Sequence, residues 1–174
     1  MKKQLFILSI FTMLSLTAHA DDEKKISTRV GKMSVIDVGS SQQENISLKG
    51  KNLFKEEYGS YRIARKFIFS DRDLILVSSA SGASCELWRF ITVSDKVASA
   101  SPVFGTCDEN PKITQKGSKI MLTMNDVKGN KTQYTFENGV VLENGKSLKI
   151  PYTDKNNKIQ QKLDDGKAEI LLSF

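Results

Sequence analysis

Histidine is nearly missing from this chain of 174 residues: its single copy, His19, lies in the first 20 positions. Those positions read as a removable export signal, with Lys2 and Lys3 as a basic start and Leu5 to Leu16 as an apolar stretch. Ala18-His19-Ala20 then forms a small-x-small cleavage site ahead of Asp21-Asp22-Glu23. The expected mature chain, residues 21–174, therefore has no histidine. Ser-His-Asp and Cys-His nucleophile systems, histidine-bound zinc and imidazole pH switches are excluded with it.

Other absences narrow the reading further. The apolar stretch is well short of the ~20 residues that span a bilayer, so no transmembrane segment is expected after cleavage. The first cysteine is Cys85, so none follows the cleavage site to carry a lipid. No serine has lysine three residues later, which a β-lactamase-like Ser-Lys pair needs. There is no glycine-rich phosphate cradle. Asp154-Lys155-Asn156 begins like a calcium loop, but Ile159 stands where an EF-hand requires glycine. No metal and no cofactor are assigned.

Two cysteines, Cys85 and Cys107, remain for an oxidising compartment. They do not form a C-x-x-C motif, and one structural disulfide is the simplest use of them. The expected location is the periplasm of a Gram-negative cell, or beyond it. With Lys2 and Lys3 removed, 24 of the 26 Lys and Arg face 20 Asp and Glu, a modest net charge of +4. Basic residues gather at Lys49/Lys51/Lys55, Arg62/Arg65/Lys66, Lys146/Lys149 and Lys155/Lys158/Lys162, interspersed with acids as solvated faces usually are. Nucleic acid does not fit the compartment; an anionic envelope surface or an acidic protein does.

Turn residues punctuate residues 21–174 at short intervals, among them Gly39-Ser40-Ser41, Ser81-Gly82, Asn138-Gly139, Asn144-Gly145 and Asp165-Gly166. The runs between them alternate with period two, as half-buried strands do: Ile46/Leu48, Tyr61/Ile63, Phe67/Phe69, Ile120/Leu122/Met124, Tyr134/Phe136 and Ala168/Ile170/Leu172/Phe174. Leu74 to Val77 is apolar throughout, which predicts a central strand covered on both faces. Thr132–Phe136 and Val140–Leu142 flank the Asn-Gly pair that a type I′ hairpin prefers. The two Glu-Asn-Gly triplets predict consecutive turns. The expected fold is all-β: a single-domain antiparallel sandwich or small barrel over residues 30–174, with one disulfide. Residues 21–29 are expected to be a mobile charged leader. Asn157 to Asp165, with Ile159 and Leu163 four apart, is expected to form one or two helical turns.

The cysteine segment is the most distinctive. Leu87, Ile91 and Val93 alternate with Trp88 and Phe90, so a strand there carries large side chains on both faces. Such a strand is either packed between layers or presents an aromatic face for binding. The Gly82-x-x-Cys85 turn, the Trp88-Arg89-Phe90-Ile91-Thr92 strand and the Ser101-Pro102-Val103-Phe104-Gly105-Thr106-Cys107 close resemble a group of small, functionally unassigned Gram-negative periplasmic proteins. The resemblance covers residues 74–107 and implies an exported, disulfide-bearing domain. It carries over no catalytic residues.

Paired carboxylates are the remaining catalytic option, and Asp71 and Asp73 read better as solvated turn acids. The expected function is therefore binding, without enzyme activity. The protein would dock on another envelope protein, a toxin or hydrolase, as an inhibitor or immunity factor, with Trp88, Arg62, Arg65 and Phe104 as candidate contacts. The alternatives are an outer-membrane β-barrel, for which the last alternating strand speaks, and a carboxylate-dependent glycan hydrolase.

Overall fold

The computed structural model describes residues 24–38, 43–54, 59–80, 85–153 and 159–174. The export signal, the turns at Gly39-Ser40-Ser41 and Ser81-Gly82, and the Asp154-Lys155-Asn156 loop lie outside the described residues. Among those described there are strands and no helix.

The chain first forms β1 (Lys25–Thr28), β2 (Gly31–Asp37), β3 (Glu44–Leu48) and β4 (Lys51–Asn52), joined in sequence order as one four-stranded sheet. It then forms β5 (Ser60–Ile68), β6 (Asp73–Ala80), β7 (Glu86–Val93) and β8 (Val97–Ala100). These make a second sheet in the order β15-β8-β7-β6-β5, whose outermost strand β15 (Glu169–Ser173) is the last of the chain. Between them in sequence, β9 (Lys112–Lys116), β10 (Lys119–Asn125), β11 (Lys131–Glu137), β12 (Val140–Glu143), β13 (Lys146–Thr153) and β14 (Ile159–Asp164) form a six-stranded meander. Every strand pairing within these sheets is antiparallel.

The five-stranded sheet is the middle layer of three, because its strands feed two cores. Ile75 and Val77 of β6, with Ile91 and Val93 of β7, pack with Met33, Val35, Ile46 and Leu48 of the N-terminal sheet. Leu74 and Leu76, with Trp88 and Phe90, pack with Ile120, Leu122, Met124, Tyr134 and Phe136 of the C-terminal sheet. Alternation along a strand sends successive side chains to opposite faces, so an unbroken apolar run is what a doubly covered strand requires. Leu74, Ile75, Leu76 and Val77 are all fully buried. The sandwich expectation thus holds, with three layers. Among the described residues the sheets are open and none closes, so of the two expected architectures the sandwich is the one formed.

Two further expectations are overturned. Most of the described part of the charged leader is a strand: β1 pairs with β2 from Lys25↔Ser34 to Thr28↔Gly31, and the Arg29 side chain donates to the Phe69 carbonyl at 2.9 Å. The segment expected to turn helically is β14, paired with β13 from Leu148↔Asp164 to Thr153↔Ile159. A spacing of four residues suits a strand's period of two as well as a helix's 3.6, and the partner strand decides.

The turns behave as their residues require. Asn138 (φ 52°) and Gly139 (φ 80°) hold the β11–β12 hairpin, and Asn144 (φ 50°) and Gly145 (φ 74°) hold the next one. Both central residues have positive φ, which Asn and Gly tolerate best. Gly166 (φ 70°) lies against the carbonyl of Val141, while its own carbonyl accepts from the Val141 N–H at 2.8 Å. That contact anchors the return of the chain from the C-terminal sheet to β15 in the middle layer.

Candidate binding surface

The sulfurs of Cys85 and Cys107 are bonded, tying the start of β7 to the segment that leads into the C-terminal sheet. Around this bridge the structure places the sequence-predicted site residues, and it corrects two of them. Trp88 and Phe104 are each 1 % exposed, so neither can form a partner surface. Their backbones pair with each other, the Trp88 indole N–H donates to the Asp108 carbonyl at 2.9 Å, and the Phe104 ring lies 5.7 Å from Phe90 and 4.9 Å from Tyr134. The layered packing of β7 buries them, because large residues on both faces of one strand served two cores. Burial pushes the Tyr134 phenol well above its ordinary range, with the Glu143 charge adding to it.

Arg62 holds the same region together. Its guanidinium makes two bonds to Glu86, Nε to Oε1 at 3.1 Å and Nη2 to Oε2 at 2.7 Å, and Nη2 also donates to the Glu109 carbonyl. It lies 5.2 Å from the Trp88 ring, and the Ser78 hydroxyl completes the Glu86 contacts at 2.8 Å. A bidentate arginine on a carboxylate fixes geometry in two directions, which here clamps β5 to β7 and to the disulfide segment. Arg65 is exposed, with its guanidinium 5.3 Å from the Phe67 ring. A bulge between Ile63 and Arg65 puts Ile63 opposite Val77 and Arg65 opposite Leu76, so the strand changes face there. Of the four predicted contacts, Arg65 alone is well exposed.

The predicted turn acids also separate. Asp71 is exposed beside Arg72. Asp73 is 3 % exposed, accepts from the Arg29 backbone N–H at 2.7 Å and pairs with Lys66 at 3.2 Å. It is a structural acid tying the N-terminal and middle sheets, in place of the solvated one expected.

The surface that sequence reasoning missed is the outer face of the C-terminal sheet. Ile120, Leu122 and Met124 point inward, so Lys119, Met121, Thr123 and Asn125 point outward. Cross-strand registers extend the pattern. Thr114, Met121, Thr135, Leu142 and Ser147 are successive partners and form one row across five strands. Met121 and Leu142 are half-buried in that row and Thr135 is only 6 % exposed. Lysines stand around it. Lys116 and Lys119 are partners on one side, Lys112 partners Thr123 on the other, and Lys131 partners Asn125 further along the same face. Lys149, partnered with exposed Leu163, continues it onto the β13–β14 ribbon. Glu137 is the acid among these outward positions, 3.5 Å from Lys119. The alternation of Lys112, Thr114 and Lys116, and of Lys119, Met121 and Thr123, was the available signal.

A separate cleft of about 510 Å³ lies where β13 and β14 approach the β7–β8–β15 end of the middle sheet. Leu87, Pro102, Ile150 and Leu171 give it apolar walls, and Asp164 and Glu169 bring two carboxylates into it. The molecule is thus a three-layer antiparallel β-sandwich with a disulfide, an open cationic sheet face and, beside it, a mixed cleft. No family model, curated protein or solved structure matches the chain.

Proposed function

We propose that this protein is an exported binding protein of the cell envelope, acting as an inhibitor or immunity-type factor by docking on a partner protein. The periplasm of a Gram-negative cell is the compartment that the signal-like start and the disulfide favour. The observation that carries the reading is the outer face of the C-terminal sheet, where half-buried Met121 and Leu142, flanking buried Thr135, are bordered by lysines. A desolvated centre within a polar rim is the general anatomy of protein interfaces. Six strands at ~4.8 Å spacing give a face roughly 25–30 Å across, of the order that a standard interface needs on each partner. The test is affinity capture from envelope extracts, with the mature chain and with a Met121→Asp/Leu142→Asp variant as baits. One partner held by the first and released by the second is expected; no partner on either bait would sink the proposal.

The cleft favours a second reading, a carboxylate-dependent glycan hydrolase using Asp164 and Glu169 as its acid–base pair. Turnover in a screen of envelope glycans that disappears in both Asp164→Asn and Glu169→Gln would establish it. Absence of turnover in the parent chain would dismiss it.

A further inference from the structure

We infer that the surface received by the C-terminal sheet is an acidic face of a protein, and that lysines of the rim select and steer it. The inference rests on the binding reading above. It follows from where the charge lies. Beyond position 20 the chain has 24 Lys and Arg against 20 Asp and Glu, an excess of four. The outer sheet face carries Lys112, Lys116, Lys119, Lys131 and Lys149 against Glu137, which is also an excess of four. The remaining 19 Lys and Arg equal the remaining 19 Asp and Glu in number, so this one face carries an excess as large as that of the whole sequence beyond position 20.

This concentration works against stability. Lys116 and Lys119 are direct cross-strand partners beside the Gly117-Ser118 turn, and like charges placed directly opposite each other destabilise a sheet. Lys112, Lys116 and Lys131 are exposed and make no ion pair among the described residues. A residue pattern that costs stability and leaves cations unneutralised fits a partner that supplies the missing carboxylates. Half-buried Met121 and Leu142, with buried Thr135 between them, favour a folded protein surface over a lipid layer, because they give a flat row for packing. The exposed aromatic anchors that hold proteins at a membrane interface do not occur among the residues of this face. Opposite charge raises association rates chiefly, and the gain falls as salt screens it.

The experiment compares three forms of the mature chain: the parent, a Lys112→Glu/Lys116→Glu/Lys131→Glu variant, and a Lys32→Glu/Lys49→Glu/Lys51→Glu variant with the same net charge but altered on the N-terminal sheet. The probe is fluorescent poly-L-glutamate, titrated at low and high salt, with vesicles of phosphatidylglycerol and phosphatidylethanolamine in parallel. The C-terminal-face variant should bind poly-L-glutamate at least tenfold more weakly than the parent and lose most of its salt dependence. The N-terminal-face variant should stay within about twofold of the parent. A Lys112→Gln/Lys116→Gln/Lys131→Gln variant should fall between parent and reversal, which separates charge from any loss of folding. Equal weakening by both reversals would overturn the inference, since bulk charge would then suffice. Vesicle binding through the same lysines without poly-L-glutamate binding would overturn it in favour of a membrane. A partner captured through Met121 and Leu142 whose affinity ignores the three lysines would overturn it as well, while leaving the binding reading in place.

Discussion

The two outer sheets cover the same middle layer by different means. The N-terminal sheet meets it through a mainly aliphatic core of Met33, Val35, Ile46, Leu48, Ile63, Ile75, Val77, Ile91 and Val93, joined by the stacked rings of Phe54 and Tyr61. Polar ties secure its edges: Asp73 accepts from the Arg29 N–H, Lys66 donates to the Ser27 carbonyl at 2.7 Å, and Glu44 accepts from the Tyr61 N–H at 2.7 Å. The C-terminal sheet meets it through aromatics, Phe67, Trp88, Phe90, Phe104, Tyr134 and Phe136, backed by the disulfide and the Arg62–Glu86 clamp. The outward sides differ too. Asn45 and Ser47 on β3 are nearly buried, with Asn45 bonded to the Phe54 backbone, whereas the outward row of the C-terminal sheet is ringed by lysines. The N-terminal half thus rests on mainly aliphatic packing with polar ties, and the C-terminal half on aromatic packing with a covalent and an ionic clamp.

Truncation of a large aromatic should break this comparison most severely. Trp88→Ala removes a fully buried ring and leaves the Asp108 carbonyl without its donor, so a loss of ~3–5 kcal/mol is expected in urea denaturation. Ile91→Val, on the other face of the same strand, should cost only ~1 kcal/mol. Because β7 serves both cores, Trp88→Ala should lower hydrogen-exchange protection in both outer sheets; protection retained in β2 and β3 would show that the halves unfold separately.

Loss of the disulfide comes next. For a closure of this length the loop-entropy estimate is ~3 kcal/mol, so Cys85→Ser/Cys107→Ser should melt well below the parent. Equal melting curves would remove the bridge from the account of the aromatic half. Asp73→Asn should cost ~1–3 kcal/mol by weakening the ion pair with Lys66 and the hydrogen bond from the Arg29 backbone N–H, and should speed exchange in β1 more than in β10 or β11.

The smallest effect concerns the β10–β11 turn. Hydrogen bonds from the Asn130 side chain and backbone, then from the Lys128 N–H, hold the Asp126 carboxyl below its ordinary range. A lowered folded-state value means that its contribution is present above about pH 4 and is lost as pH falls through the folded value. Asp126→Ala should therefore lower stability slightly at neutral pH, and the difference from the parent should shrink as pH falls below about 4. A deficit that persists undiminished in acid would contradict this origin.

Much of the architecture was legible because alternation is local. Leu74 to Val77 revealed a doubly covered strand, and the Asn-Gly pairs revealed their hairpins. Large residues on both faces of β7 left two readings, a strand between layers or an aromatic binding face, and the burial of Trp88 and Phe104 decides for the first. β1 was hidden because its only large apolar residue is Ile26; its order comes from β2 and from distant partners. β14 was hidden because Ile159 and Leu163 satisfy two periods at once. The cationic face was half visible in the lysine alternation of β9 and β10. Its meaning depended on cross-strand registers, which set Lys112, Lys131 and Lys149 on one side of the sheet.

The central claim is that the C-terminal sheet face is where this protein meets its partner. Site-specific photo-crosslinking in intact cells tests it most directly, with the reactive residue placed at Met121 or, on the outward side of β2, at Ser34. Met121 should give one discrete protein adduct and Ser34 none. Adducts at Ser34 with none at Met121 would contradict the account.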